Sequence, residues 1–419
     1  MNALAISIFF ILIGLVIFQT LPALAFGWSL RSSNLPKPLD DHLPKTAILL
    51  SVRGADPVLS DCIRALLAQN YPKFTLKIIV DSYEDPAWQQ VNDLIQQLGT
   101  TQVQVSLLRL RHDTCSLKGS SLVQAITELD DTYGAVALVD SDVVVYPSWL
   151  RELVSPLSDE RVGVTTGNRW CPQTNRWGSL VRYHWNAACA VTMYINQVPW
   201  GGSMAIKLPV LRQSRLLTTW TQSISIDAPV TQAMRELGLT VKFVPTVMMI
   251  NREECDLGKC MRWLKRQFLN SWLYMSQRSL VIIETFVPPA LLFLAIILSI
   301  ISLAMGQLGV AIWAFGSVVS YLLATSLIVM FLEQSVQQIV QKRGEVPVRF
   351  SILGLIKIVL AIPLTHLVSA RMMASAMLTH SVEWRGVTYQ IQGPWDIRLS
   401  QYRPYTSTDQ PAQPNTSIL

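Results

Sequence analysis

A chain of 419 residues, half of them hydrophobic and only 15% charged, has the balance of a membrane protein rather than of an ordinary soluble domain. Its net charge of +6 is spread without a lysine-rich run or a basic-aromatic repeat, which argues against a nucleic-acid partner; basic residues beside membrane segments account for it. The six cysteines form no CxxC pair, and no histidine cluster stands at zinc-like spacing, so they read as reduced thiols facing the cytosol.

Residues 1–30 contain no charged side chain, and 3–28 are long enough to span a hydrocarbon core of roughly 30 Å. The basic start of a cleaved signal peptide is missing. The segment is therefore expected to be an anchor, and Arg31, Lys37 and Lys45 after it favour a cytosolic location for the domain that begins there.

From residue 45 to about 242, apolar β-branched runs alternate with amphipathic helices, the signature of a largely parallel sheet covered on both faces. Strands are expected over 47–52, 76–80, 103–108, 135–139 and 162–165. In the first helix Asp56 suits a cap, Pro57 the first turn, and Leu59, Ile63, Leu66 and Leu67 share a face. Ligands of such sheets bind beyond the carboxyl ends of the strands, where Arg53, Asp81, Asp140 and Asp142 fall. Two carboxylates at i and i+2 suit a divalent cation, Mg2+ or Mn2+, completed by the diphosphate it carries. A lone DxD is as well explained by solvated loop acids. Lys118 lies in a short loop, where a donor contact and a solvated lysine are both open.

Between Asp142 and Asp227 the chain is rich in Trp, Gly and small residues, including Trp170, Trp177, Trp185, Trp200, Gly201 and Gly202. Aromatic faces stack on sugars and favour the membrane interface, so this stretch is expected to offer an interfacial acceptor pocket; packing in a loop-rich core is the alternative. Asp227 stands before Ala228 and Pro229, where it would also suit an N-cap. Lys259, Arg262, Lys265 and Arg266 make a basic amphipathic stretch fit to rest on anionic headgroups.

Residues 285–332 are again free of charge, broken at Gly306–Gly309, and read as a hairpin of two spans, 281–304 and 309–332. The segment 350–377 is interrupted by Lys357, Pro363 and His366, which favours an interfacial or re-entrant element over a crossing. A crossing would put the tail with Trp384, Arg385 and Gly386 outside. Residues 378–419 form that tail, with its last part expected to be disordered.

Taken in order, Asp81, the pair Asp140 and Asp142, Asp227, and Arg262 with Trp263 resemble the D, DxD, D, (Q/R)xxRW series of membrane-bound family 2 glycosyltransferases, the ceramide glucosyltransferase-like branch above all. The likeness runs over about 47–274 and extends to the tail around 384–389. It implies a GT-A fold over 31–280, with Asp81 at the nucleoside, Asp140 and Asp142 at diphosphate and metal, and Asp227 as the general base of an inverting transfer. It also implies Arg53 and Lys118 as donor contacts, Arg262 at the diphosphate, Trp263 under the acceptor, and a UDP-sugar as donor, with glucose as the sugar. Two positions depart from the pattern: Ile226 replaces an acidic residue, and Lys259 opens the last motif. With two or three spans after the catalytic domain, one transfer to a membrane lipid fits better than a processive polysaccharide synthase; an inactive scaffold is a further alternative. No obligate protein partner is inferred. The expected setting is a multi-pass membrane protein, in the plasma membrane if bacterial, with a cytosolic catalytic domain.

Overall fold

The computed structural model describes residues 1–32, 40–346 and 351–406. In chain order it contains α1 (Asn2–Arg31), β1 (Thr46–Val52), α2 (Leu59–Leu67), β2 (Phe74–Val80), α3 (Pro86–Leu98), β3 (Val103–Leu107), α4 (Leu117–Thr127), β4 (Ala135–Val139), α5 (Trp149–Val154) and β5 (Val162–Trp170). There follow α6 (Trp177–Asn196), β6 (Ser203–Lys207), α7 (Leu208–Gln213), α8 (Leu216–Trp220), α9 (Ala228–Glu236), β7 (Thr240–Ile250) and α10 (Leu257–Tyr274). The chain continues through α11 (Arg278–Ala304), α12 (Leu308–Lys342), α13 (Ile352–Met377), β8 (Ser381–Trp384), β9 (Val387–Gly393) and β10 (Asp396–Gln401). The chain divides into two compact units.

The first unit comprises Asn34–Asn168, Gln197–Met249 and Thr379–Leu419. Its core is a seven-stranded sheet in the order β3-β2-β1-β4-β6-β5-β7. β4 is buried along its whole length, and β1 nearly so; continuous apolar runs of this kind mark strands covered on both faces. β3, β2, β1 and β4 run parallel, and the chain reverses its direction across the sheet between β1 and β4. A crevice opens at such a switch point, beyond the carboxyl ends of the strands. β6 lies antiparallel to β4, with Ser203 opposite Val139, so the start of β6 and the end of β4 share one edge of the sheet.

Three places depart from the sequence expectation. α2 begins at Leu59, and Asp56 does not cap it: its carboxylate accepts from the Val58 amide at 3.2 Å and pairs with Arg385 at 3.7 Å. The effective cap and N1 proline are Asp85 and Pro86: Asp85 accepts from Ala87 N and starts α3. The Trp-rich stretch is not loop-rich, because Trp177–Asn196 is a 20-residue helix. β5 runs on to Trp170, and β6 and β7 add two strands to the five expected.

The same unit contains a small antiparallel sheet, β10-β9-β8. Trp384 pairs with Val387, and between them Arg385 (φ 49°) and Gly386 (φ 74°) are both left-handed. That is the two-residue hairpin turn whose twist matches the strands it joins. Val387, Tyr389, Ile391 and Ile397 are buried. The tail is thus folded as far as Gln401; its last part, expected to be disordered, lies from residue 407 outside the described residues.

The second unit comprises Met1–Ser33, Arg169–Asn196 and Ile250–Leu378. α1, α11, α12 and α13, of 30, 27, 35 and 26 residues, are long and apolar enough to cross a membrane. Ile8 and Leu12 of α1 pack with Leu292 and Ala295 of α11, Ala314 and Tyr321 of α12, and Ile362 of α13. Their other faces expose large apolar side chains, such as Phe10 at 62% and Phe293 at 66%, as a helix does in lipid. Glu333 of α12 is fully buried and is satisfied by Trp170 Nε1 at 2.8 Å and Gln337 Nε2 at 2.6 Å. The segment expected at 350–377 is the continuous helix α13, with Pro363 inside it; residue 350 itself lies outside the described residues.

Candidate active site

β1 and β2 end side by side, with Val52 opposite Val80, and this pairing brings the next residues, Arg53 and Asp81, together. Their side chains form an ion pair, 9% and 3% exposed. Burial lowers the Arg53 guanidinium from its ordinary value, and Tyr402, Asp85 and Tyr389 push back against that shift. The pair is fixed by neighbours, as a buried charge requires. Arg53 Nε donates to Arg385 O at 2.9 Å and Nη2 to Arg403 O at 2.6 Å. Tyr402 Oη donates to Asp81 Oδ2 at 3.1 Å. Asp85 accepts from Gly54 N at 2.8 Å and so holds the turn after β1.

At the end of β4, Asp140 is ion-paired with Lys118, one residue inside the first turn of α4. Ser116 caps that helix by accepting from Gly119 N at 3.1 Å. Lys118 Nζ also reaches Gly201 O at 3.4 Å. Burial alone would lower the Lys118 ammonium; Asp140, Asp227 and Asp142 overcome it and hold it above its ordinary value. Asp142 is exposed. Beneath this loop the Cys62 thiol, 3.8 Å from Asp140 O, is pushed up by burial and by the charges of Asp142 and Asp140, which makes it inert.

Gly201 and Gly202 bind the cluster together. A Cβ on Gly201 would overlap Asp227 Oδ1 and Ile226, and one on Gly202 would overlap the Trp200 indole and lie 2.5 Å from Asp140 Oδ2. Two carboxylates from distant parts of the chain therefore press on consecutive glycines. The turn is held by Trp200 N donating to Thr166 Oγ1 at 2.9 Å and by Trp149 Nε1 donating to Ser203 Oγ at 2.8 Å. Trp200 is 7% exposed. Asp227 occupies the N-cap position of α9 without a side-chain capping bond, so capping does not explain its presence.

Arg262 and Trp263 belong to the helical unit, on α10, which Asp256 caps by accepting from Lys259 N at 2.8 Å. Arg262 is exposed. The Trp263 ring meets Trp185 edge to face at 5.0 Å, and the Arg169 guanidinium lies 4.9 Å from it. Sequence reasoning missed Tyr402, Arg403 and Tyr405 altogether; their only signal is an aromatic-basic cluster, YRPY, in an otherwise polar tail.

A mostly parallel sheet with acidic residues past β2 and β4, and an antiparallel strand returning glycines to the same edge, is the GT-A framework. The pattern of glycosyl transferase family 21 matches residues 6–395; the protein is a glycosyltransferase, and the chain belongs to that family. A ceramide glucosyltransferase of Gibberella zeae is 25% identical over 136 residues, which cover 31% of this chain and 26% of that protein. The match thus spans about a quarter of the relative's length. Among solved structures, the mannosyltransferase PcManGT of Pyrobaculum calidifontis, in complex with GDP-Man and Mn2+, is similar at 12% identity and a TM-score of 0.49, covering 89% of this chain and 96% of that one. A glucosyl-3-phosphoglycerate synthase of Mycobacterium tuberculosis, with Mn2+, UDP and glucosyl-3-phosphoglycerate, is similar at 13% identity and a TM-score of 0.37, covering 54% and 81%.

Proposed function

We propose that the protein transfers one hexose, glucose, from a UDP-sugar to a hydroxyl of a membrane lipid at the cytosolic face, inverting the anomeric centre. The observation that carries this reading is the convergence of Asp140 and Asp227 on the consecutive glycines Gly201 and Gly202, which brings a donor-side and an acceptor-side carboxylate to one turn.

Asp81 and Arg53 serve the nucleoside end. Asp140 and Asp142 suit Mg2+ or Mn2+: they are oxygen donors at a strand end, fit for a cation whose remaining ligands are phosphates and water. Bound there, the cation would neutralise charge on the departing diphosphate. Lys118 adds a positive charge on the same side, and Arg262 a further one. Asp227 takes the proton of the acceptor hydroxyl as its oxygen bonds to the anomeric carbon; the bond from that carbon to the diphosphate breaks, and its electron pair leaves with UDP. Trp200, Gly201 and Gly202 line the acceptor side, and Trp263 presents the lipid. Arg31 and Lys45 after α1 support a cytosolic catalytic domain.

The test is a screen of nucleotide-sugars and lipid acceptors with membranes containing the protein, Mn2+ and mass detection. Discrete, organic-extractable glycolipids are expected. Product found only as high-molecular-weight polymer would replace this reading with a processive synthase, and unchanged turnover in both Asp142→Ala and Asp227→Ala would end the catalytic assignment.

A further inference from the structure

We propose that residues 402–406, just after β10, complete the nucleoside end of the donor site, with Tyr402 as the residue that positions Asp81. The proposal rests on the donor-site reading and adds to it a part of the chain that no sequence motif marks.

Asp81 Oδ2 accepts from both Arg53 Nη1 and Tyr402 Oη, whereas Asp81 Oδ1 is buried with no hydrogen-bond partner. A buried carboxylate oxygen left unpaired is costly. With Oδ2 pinned by two donors, Oδ1 is the acceptor left for a ligand, and an oxygen that can only accept selects a base with a ring N–H. Neutral uracil and guanine have one; cytosine and adenine carry an unprotonated nitrogen there. Tyr402 thereby fixes which oxygen faces the base and in what direction.

The tail's engagement is built rather than incidental. Arg53 gives Nε and Nη2 to carbonyls of residues 385 and 403 and stacks 5.3 Å from the Tyr402 ring and 5.7 Å from that of Tyr405. Tyr405 lies so close over Gly54, at φ +79°, that a Cβ there would come within 2.9 Å of its ring. Arg111 covers Tyr402 at 3.9 Å. Nearer the small sheet, Tyr389 Oη accepts from Leu117 N at 3.1 Å, next to Lys118, and Leu399 N donates to Asp113 O at 2.6 Å. The tail touches the ends of β1 and β2 and the start of α4, all three of which bear candidate donor residues.

The experiment measures binding of UDP and of CDP, with Mn2+, to purified full-length protein and to Tyr402→Phe, Asp81→Asn and a chain ending at Gln401. Loss of one hydrogen bond to a charged group predicts UDP binding weakened roughly tenfold in Tyr402→Phe and a smaller preference for UDP over CDP, which a loss of stability alone would not change. The shortened chain should lose more. UDP affinity and UDP/CDP preference unchanged in both tail variants would overturn the proposal, as would tighter UDP binding, which would make the segment a strap that excludes the donor. If Asp81→Asn weakens UDP while the tail variants do not, only this inference fails; if Asp81→Asn also has no effect, the donor-site reading fails with it.

Discussion

Residues 201 and 202 show how little room the candidate site leaves. In Gly202→Ala a methyl group must enter space held by the Trp200 indole and the Asp140 carboxylate. Overpacking of that kind costs about 1–3 kcal/mol, so the variant should melt lower and bind UDP with Mn2+ more weakly; unchanged values for both would mean the turn yields freely. Lys118 makes a prediction about pH. Its ammonium is held above the ordinary 10.5. For a group raised in the folded state, the pairing contribution is fully present below the unfolded value and fades only as pH rises through the folded one. Lys118→Met should therefore weaken UDP binding by the same factor at neutral pH and at pH about 9. A factor that shrinks between these points would mean that Lys118 already loses its proton there. Arg53, Asp81, Lys118, Asp140 and Asp142 were legible in the sequence because each follows a strand end or opens a helix, where local pattern and chemistry coincide. Tyr402 was not, since its bond to Asp81 joins positions 321 apart, and no periodicity registers so distant a contact.

For the elements, legibility followed burial. β1 and β4 announce themselves as unbroken apolar runs between turns, and β2, β3 and the start of β5 were placed to within a few residues. β6 does not announce itself: it has five residues, SMAIK, and follows a Trp-Gly-Gly turn that resembles a binding loop more than the entrance to a strand. α6 is hidden for a related reason, because its tryptophans suggest sugar stacking and draw attention from their helical spacing. Capping is ambiguous between two similar signals, Asp56-Pro57 and Asp85-Pro86. The second one prevails because Asp85 serves two amides, Ala87 N within α3 and Gly54 N across from it, whereas Asp56 serves the amide of Val58 just before α2. Asp85→Ala should accordingly cost more than an ordinary cap, about 2 kcal/mol, and should loosen the Arg53 turn. A fall in melting midpoint together with weaker UDP binding is the expected result, and a fall in the midpoint alone would confine Asp85 to capping α3.

The whole molecule imposes a parity. Met249 and Thr379 belong to one compact unit, and between them lie α11, α12 and α13, each long and apolar enough to cross a bilayer. Three complete crossings would put Tyr402 on the side opposite Asp81, to which it is bonded. We propose that an even number cross, with α13, which carries Lys357, Pro363 and His366, lying along the interface or re-entering. Cysteines introduced as Gly306→Cys, between α11 and α12, and His380→Cys, after α13, test this in intact cells. An impermeant maleimide should label the first from outside and the second only after permeabilisation. External labelling of His380→Cys would overturn the parity.

The Arg53 to Arg403 hydrogen bond spans 350 positions, and that span has a meaning in time. At roughly 5–20 residues per second on the ribosome, it separates the two partners by about 20–70 seconds. In that interval every apolar helix after the catalytic sheet is made and must be handed to the bilayer. Until residues 385 and 403 emerge, the Arg53 side chain is without the two carbonyls that hold it. A nascent chain with a finished sheet therefore still lacks the contacts that fix Arg53, and residues 385 and 403, translated after α13, tie completion of the Arg53–Asp81 pair to synthesis of the apolar helices.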